Sequence, residues 1–237
     1  MIHGFSIITA NYHTGQSTAF FTGDEKIKSW EGLNKLSIRS EIRAEHIMAS
    51  SAIPIFFPPI QIGECFFGDG MVRLSSPLSP AIHMGASRLL VIGIRGPSGL
   101  LQNKKGPSGA ISLGEVAGTI LNGLFFDSLD SDIARLKKVN RRILAHGPES
   151  LQGEQNPEKH IPLLALHPSE VVSLSNSCKF SRLAFALAFA LKGLGISENR
   201  GSDLLSYLSF EPKYMTTLIG VRLRRYHAKK RRDTRFF

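Results

Sequence analysis

The sequence predicts an α/β fold, a mainly parallel sheet with C-terminal helices, on three observations. A proline-bearing stretch, SSPLSPAIHMGA, reads as a helix and runs directly into the apolar strand LLVIGI at Leu89–Ile94. A helix feeding a strand in this way is the α/β pattern. An unbroken apolar run of that length is expected of a parallel strand buried on both faces. Residues 113–144 carry Val116, Ile120, Leu124, Leu129, Ile133 and Leu136 at three-to-five-residue spacing, with Ile143 seven residues on, the mark of a long amphipathic helix.

From the start of the chain, FSIITANY is rich in β-branched and aromatic residues, HTGQ has turn chemistry, and STAFFTG resumes the apolar pattern, so a β-hairpin is expected. Residues 24–44 are mixed and polar, with Trp30 among them, and read as a loop leading to a helix start. AEHIMASSAI, Ala44–Ile53, reads as a short helix stopped by Pro54. IQIGECFF reads as a strand ending at Gly68-Asp69-Gly70. Pro77 or Pro80 suits a first helical turn, and Gly85 suits the residue just past the helix end. Residues 95–110 carry six Gly or Pro and read as a loop, as does the polar stretch 146–160. IPLLALHPS is a last candidate strand, and Phe180–Leu194 and Ser202–Arg224 read as helices.

The 237 residues are 42% hydrophobic and 20% charged, the balance of a globular chain rather than a disordered one. Cys65 and Cys178 are too few and too far apart for a disulfide framework or a metal clip, so no metal or other cofactor is expected. No signal peptide is legible at the N-terminus. The longest apolar run, Leu183–Leu191, falls short of the roughly 20 residues that span a bilayer. A cytoplasmic protein is expected, with peripheral membrane attachment as the other option. Between Arg222 and Arg235, eight basic residues against Asp233 supply +7 of the net charge of +10. Such a cluster either attracts anionic lipid surfaces or is simply a solvated terminus. Nucleic acid is not an expected partner, because the tail lacks interleaved aromatics and any recognition motif.

The block Glu45–Arg95 carries the chemistry. In order it holds Ala49–Pro54 (ASSAIP), Phe57–Pro59 (FPP), a strand, Asp69-Gly70, Pro77–Ile82 (PLSPAI), Gly85-Ala86 and Leu89–Ile94. This succession resembles the patatin-like phospholipase family, and ITANYHTGQ, DSLDSDIARLKKVNR and SYLSFEPKY are similar to its bacterial branch. The resemblance covers the chain to about residue 220. It implies a three-layer patatin-like fold and a lipid acyl hydrolase that cleaves carboxylic esters of lipids or phospholipids with a Ser-Asp dyad. By that resemblance the catalytic residue is Asp69, in a motif of Gly68, Gly70 and Met71, where Met71 replaces the usual Gly or Ala. An isolated Asp-Gly pair is ordinarily a turn residue that caps its own backbone. Here the surrounding block, rather than the dipeptide, makes Asp69 the family's aspartate. Substrate-binding residues are not assigned.

No G-x-S-x-G occurs in the sequence. The nearest stretch, Gly15-Gln16-Ser17-Thr18-Ala19, runs into β-favouring residues, whereas a nucleophile elbow must join a strand to a helix. Ser98 and Ser108 lie in Gly-Pro-Ser-Gly spacers. His46, His83 and His167 invite a Ser-His-Asp triad, yet no spacing singles one out. The family's glycine-rich oxyanion segment is also missing. The expectation is therefore an N-terminally truncated patatin-like domain: residues 1–95 its C-terminal part, 96–220 a helical continuation, and 221–237 the basic tail. Activity alone is not expected. An upstream polypeptide carrying the serine is an implied partner, and a non-catalytic remnant or lipid-binding module is the alternative.

Overall fold

The computed structural model describes residues 4–54, 56–93, 113–146 and 159–166. It is a mixed α/β structure centred on a sheet. In chain order the elements are β1 (Gly4–Asn11), β2 (Ser17–Gly23), β3 (Glu31–Gly32), β4 (Lys35–Arg39), α1 (Ala44–Ser50), β5 (Ile60–Ile62), β6 (Cys65–Asp69), a 3-10 turn (Gly70–Val72), α2 (Ser79–His83), β7 (Leu89–Ile92), α3 (Leu113–His146) and β8 (Leu163–Leu166). Contacts group the chain into two units, Met1–Val91 with Leu124–Leu163, and Ile92–Gly123 with Leu164–Phe237. Asp69 lies in the first.

Its six-stranded sheet runs β3-β4-β2-β1-β6-β5. The expected hairpin forms with full register, Gly4 opposite Gly23 through Ala10 opposite Ser17. Asn11 closes its turn, because the buried side-chain Oδ1 accepts the N–H of His13 at 2.9 Å and of Thr14 at 3.1 Å. Gly15 follows in the left-handed region (φ 70°), where a side chain is strained.

Strand direction departs from expectation. Of the pairings in this sheet only β2 with β4 is parallel; β1–β2, β1–β6, β3–β4 and β5–β6 are antiparallel. The sheet is therefore mainly antiparallel, because short turns rather than crossover helices join most neighbours. Two turns were not legible. Residues 31–39, read as part of a loop, form the β3–β4 hairpin around Asn34 at φ 59°. IQIGECFF is not one strand but the β5–β6 hairpin, reversed at Gly63 (φ 61°). Parallel pairing does appear between β7 and β8, where Leu89 N donates to Pro162 O and Gly93 N to Leu166 O, both at 2.8 Å. In β7, however, buried and exposed residues alternate, with Leu90 47% and Ile92 62% exposed, so it is not covered on both faces.

Alternation of side chains sorts the sheet into two faces. On one, Phe20 and Phe67 pack with Ala49 of α1, with Ile42, Ile60, Ile62 and Cys65 around them. Phe20 meets Phe67 edge-on at 5.2 Å. On the same face, beyond α1, Phe5, Leu36 and Ile38 stay exposed. The opposite face carries Phe21 under Trp30 at 5.0 Å, and Trp30 stacks on His83 of α2 at 5.3 Å. The guanidinium of Arg39 covers the Phe21 ring at 4.9 Å. From α3, buried Asp132 accepts Leu78 N at 2.9 Å and Arg135 at 2.8 Å. Further along, Asn140 clamps Ile161 with two bonds, Nδ2 to its carbonyl at 2.7 Å and its N–H to Oδ1 at 3.1 Å. The helix signals of α2 read correctly: Pro80 lies in the first turn, and Gly85 (φ 88°) follows the last. The candidate helices 180–194 and 202–224 and the basic tail lie outside the described residues.

Candidate active site

Asp69 is the last residue of β6 and stands opposite Thr9 of β1, with Gly68 opposite Ala10 and Phe67 opposite Asn11. Cys65, Phe67 and Asp69 alternate toward the α1 face, so the carboxylate shares that face with the Phe20–Phe67 core. The Asp69 N–H donates to Ala52 O at 3.1 Å, which ties the strand end to the segment after α1. The chain then tightens into the 3-10 turn, and Asp69 Oδ1 accepts the Met71 N–H at 2.9 Å.

Each flanking glycine has its own steric cause. A Cβ at position 70 would lie 2.3 Å from the Ile8 carbonyl oxygen, so Gly70 lets the turn press against β1. That same carbonyl accepts the hydroxyl of Ser50 at 2.7 Å, which joins α1, β1 and the turn at one point. A Cβ at position 68 would lie 2.1 Å from Tyr12 Oη, so the phenol occupies the space a side chain would take. Met71 contributes its backbone N–H, and its side chain is half-buried beside the turn.

Asp69 is only 7% exposed. Burial pushes its pKa above the ordinary aspartate range, and the Met71 N–H partly restrains the rise. The Tyr12 phenol is raised in turn, by its own partial burial first and then by the charge of Asp69. The Asx turn through Oδ1 is the ordinary capping role of an Asp-Gly pair. It engages one oxygen, and among the described residues Oδ2 accepts no hydrogen bond. A buried carboxylate with an uncommitted oxygen and a raised pKa suits proton abstraction from a hydroxyl brought within about 2.6–3.2 Å.

Other sequence candidates separate from this site. Ser17 is buried inside β2, paired with Ala10, and its N–H donates to Asn34 O at 2.9 Å; it sits on no elbow. His46 is buried in α1, where Nδ1 accepts the Arg43 N–H at 3.1 Å and the ring meets Phe20 edge-on at 4.6 Å. It is a helix cap. His83 stacks on Trp30 on the opposite face of the sheet from Asp69, with its pKa lowered by burial and then by Lys35. Ser98, Ser108 and His167 lie outside the described residues. Tyr12 and Ser50 were not singled out from the sequence, because their partners Gly68 and Ile8 lie 56 and 42 positions away.

Among the described residues no cluster of three or more His, Cys, Asp or Glu could hold a metal ion. Nor, among those residues, is any helix long and apolar enough to cross a membrane. Protein-family models, curated proteins and solved structures return no match to this chain.

Proposed function

We propose that this chain is the aspartate-bearing part of a patatin-like lipid acyl hydrolase, with Asp69 as the base of a Ser-Asp dyad. One observation carries the proposal: a buried carboxylate at the end of β6, in an Asp-Gly turn whose Gly70 is sterically required by the Ile8 backbone. The order of motifs across Glu45–Arg95 supports it. In the proposed reaction a serine hydroxyl attacks the carbonyl carbon of a lipid ester and gives its proton to Asp69. The proton then passes to the departing alcohol as the acyl-serine forms. Water cleaves the acyl-serine in a second step, with Asp69 again taking and returning the proton.

The 237 residues offer no elbow serine, so the nucleophile belongs to a segment outside them. Fluorophosphonate treatment followed by mass spectrometry tests this point. The chain alone is expected to carry no serine adduct. Co-expressed with a G-x-S-x-G polypeptide encoded immediately upstream, it is expected to confer an Asp69-dependent adduct on that serine. An adduct on a serine of this chain would overturn the assignment. The absent elbow also favours a second reading, a non-catalytic lipid-binding module. Retention on anionic liposomes without any Asp69-dependent adduct in the co-expressed pair would select it.

A further inference from the structure

The ASSAIP run at Ala49–Pro54 takes no part in the proton transfers, yet its first four residues all hold the end of α1 in place. Ala49 is fully buried with Phe20 and Phe67, which lays the helix on the sheet. Ser50 Oγ donates to Ile8 O of β1 at 2.7 Å. Ser51 Oγ turns back to Ile47 O at 3.0 Å and so closes the helix on itself. Buried Ala52 offers its carbonyl to Asp69 N of β6 at 3.1 Å. Ser50 and Ala52 therefore grip the two strands that meet at Asp69.

The Ile8 carbonyl is the point where these contacts converge. It accepts the Ser50 hydroxyl, and a Cβ on Gly70 would lie 2.3 Å from its oxygen. Thr9 and Asp69 are the last paired residues of β1 and β6 at this end. Beyond them the chain enters the 3-10 turn, in which Asp69 Oδ1 accepts Met71 N at 2.9 Å. The orientation of the Ile8 carbonyl thus sets how closely that turn can approach β1. Ser50 reaches it from α1, on the same face of the sheet as the Asp69 side chain.

We propose that Ser50 is a positioning residue for Asp69: its hydroxyl fixes the Ile8 carbonyl on which the Asp69–Met71 turn is seated, and through it the direction of the carboxylate. A base must be held in line with the proton it takes, and small displacements at such a group are costly in rate. The catalytic meaning of this seat rests on the acyl-hydrolase proposal; the seat itself rests on the contacts at Ile8.

Amide hydrogen exchange of the full chain, followed by NMR, tests this. The Met71 N–H reports the turn, because its acceptor is Asp69 Oδ1. The Ile161 N–H, held by Asn140 Oδ1 at 3.1 Å, reports general stability. Ser50→Ala is expected to speed exchange at Met71 by about fivefold, the net worth of one neutral hydrogen bond. Ser50→Thr keeps the hydroxyl and is expected to return the wild-type rate. If Ser50→Ala does not fold, Ser50→Cys, close in shape and a weaker donor, is expected to exchange faster than wild type at Met71. A contact that only stabilises the fold survives local opening of the turn and leaves the Met71 rate alone. The same Met71 rate in wild type and in the variant lacking the hydroxyl, whatever happens at Ile161, would overturn the proposal, as would a Ser50→Thr rate equal to that of Ser50→Ala. The hydrolase assignment fails separately. Ser50-dependent protection at Met71 without an Asp69-dependent serine adduct would leave a positioned carboxylate on a protein that is not a hydrolase.

Discussion

Replacing Gly70 by alanine should cost more stability than its single methyl group suggests. The new Cβ would lie 2.3 Å from the Ile8 oxygen and 2.6 Å from its carbonyl carbon, where ordinary contact begins near 3.4 Å. About 1 Å of overlap must be relieved, and neither atom is the end of a flexible side chain. The Ile8 carbonyl is held by Ser50, and β1 is paired on both edges, with β2 and with β6. Overpacking of this kind costs about 1–3 kcal/mol, and immovable backbone puts the change at the upper end. With a urea slope of about 1–3 kcal/mol/M, the unfolding midpoint should fall by about 1–3 M. Gly32→Ala is the matched control: nothing lies within 4 Å of a Cβ there and its φ is not left-handed, so its midpoint should hold or rise. If both variants melt at the same urea concentration, Gly70 is not a required close approach, and the steric account of the Asp-Gly turn is wrong. The relief also displaces residue 69. A shift near 1 Å at a catalytic group costs about a hundredfold in rate, so the substitution should damage any Asp69-dependent chemistry as well.

The Asp69→Asn variant retains an Oδ1 acceptor for Met71 but carries no charge to bury. Because the folded-state pKa of Asp69 is raised, wild type gains stability as pH falls from that value toward 3.8 and bears the full burial cost above it. Asp69→Asn should thus be at least as stable as wild type at neutral pH by thermal melting, and its advantage should vanish by pH 4. Asn140→Ala removes two buried bonds to Ile161 and should cost about 2–3 kcal/mol in urea unfolding. Asp132→Ala leaves the Leu78 N–H unpaired and should cost about 1–3 kcal/mol. Asp132→Asn keeps an acceptor for Leu78 but sets an amide NH2 against Arg135 in place of Oδ1, so it loses the ion pair and its two hydrogen bonds yet should cost less than Asp132→Ala.

Local chemistry was legible in the sequence, and long-range pairing was not. The β1–β2 hairpin followed from FSIITANY, HTGQ and STAFFTG because the turn and both strands lie within 20 residues. The caps of α2 followed from Pro80 and Gly85 for the same reason. Parallel strands were inferred from Leu89–Ile94, yet β7 pairs with β8 rather than joining the main sheet. That sheet instead forms largely by short reversals. At Asn34 a non-glycine residue adopts the left-handed conformation, a choice no hydrophobic pattern announces. Asp69 was placed correctly at a strand end, since an apolar run followed by Gly-Asp-Gly is a local signal. What lies against its glycines is not local. Tyr12 over Gly68 and Ile8 against Gly70 both depend on the β1–β6 pairing, which no stretch of sequence announces.

The most direct test of Asp69 as the base of an acyl hydrolase is release of p-nitrophenol from p-nitrophenyl octanoate. The chain alone should give no release above buffer. Co-expressed with a G-x-S-x-G polypeptide encoded upstream, it should give turnover that Asp69→Asn abolishes while the fold remains intact by melting. Full turnover by the Asp69→Asn pair, or turnover by the wild-type chain alone, would contradict the account.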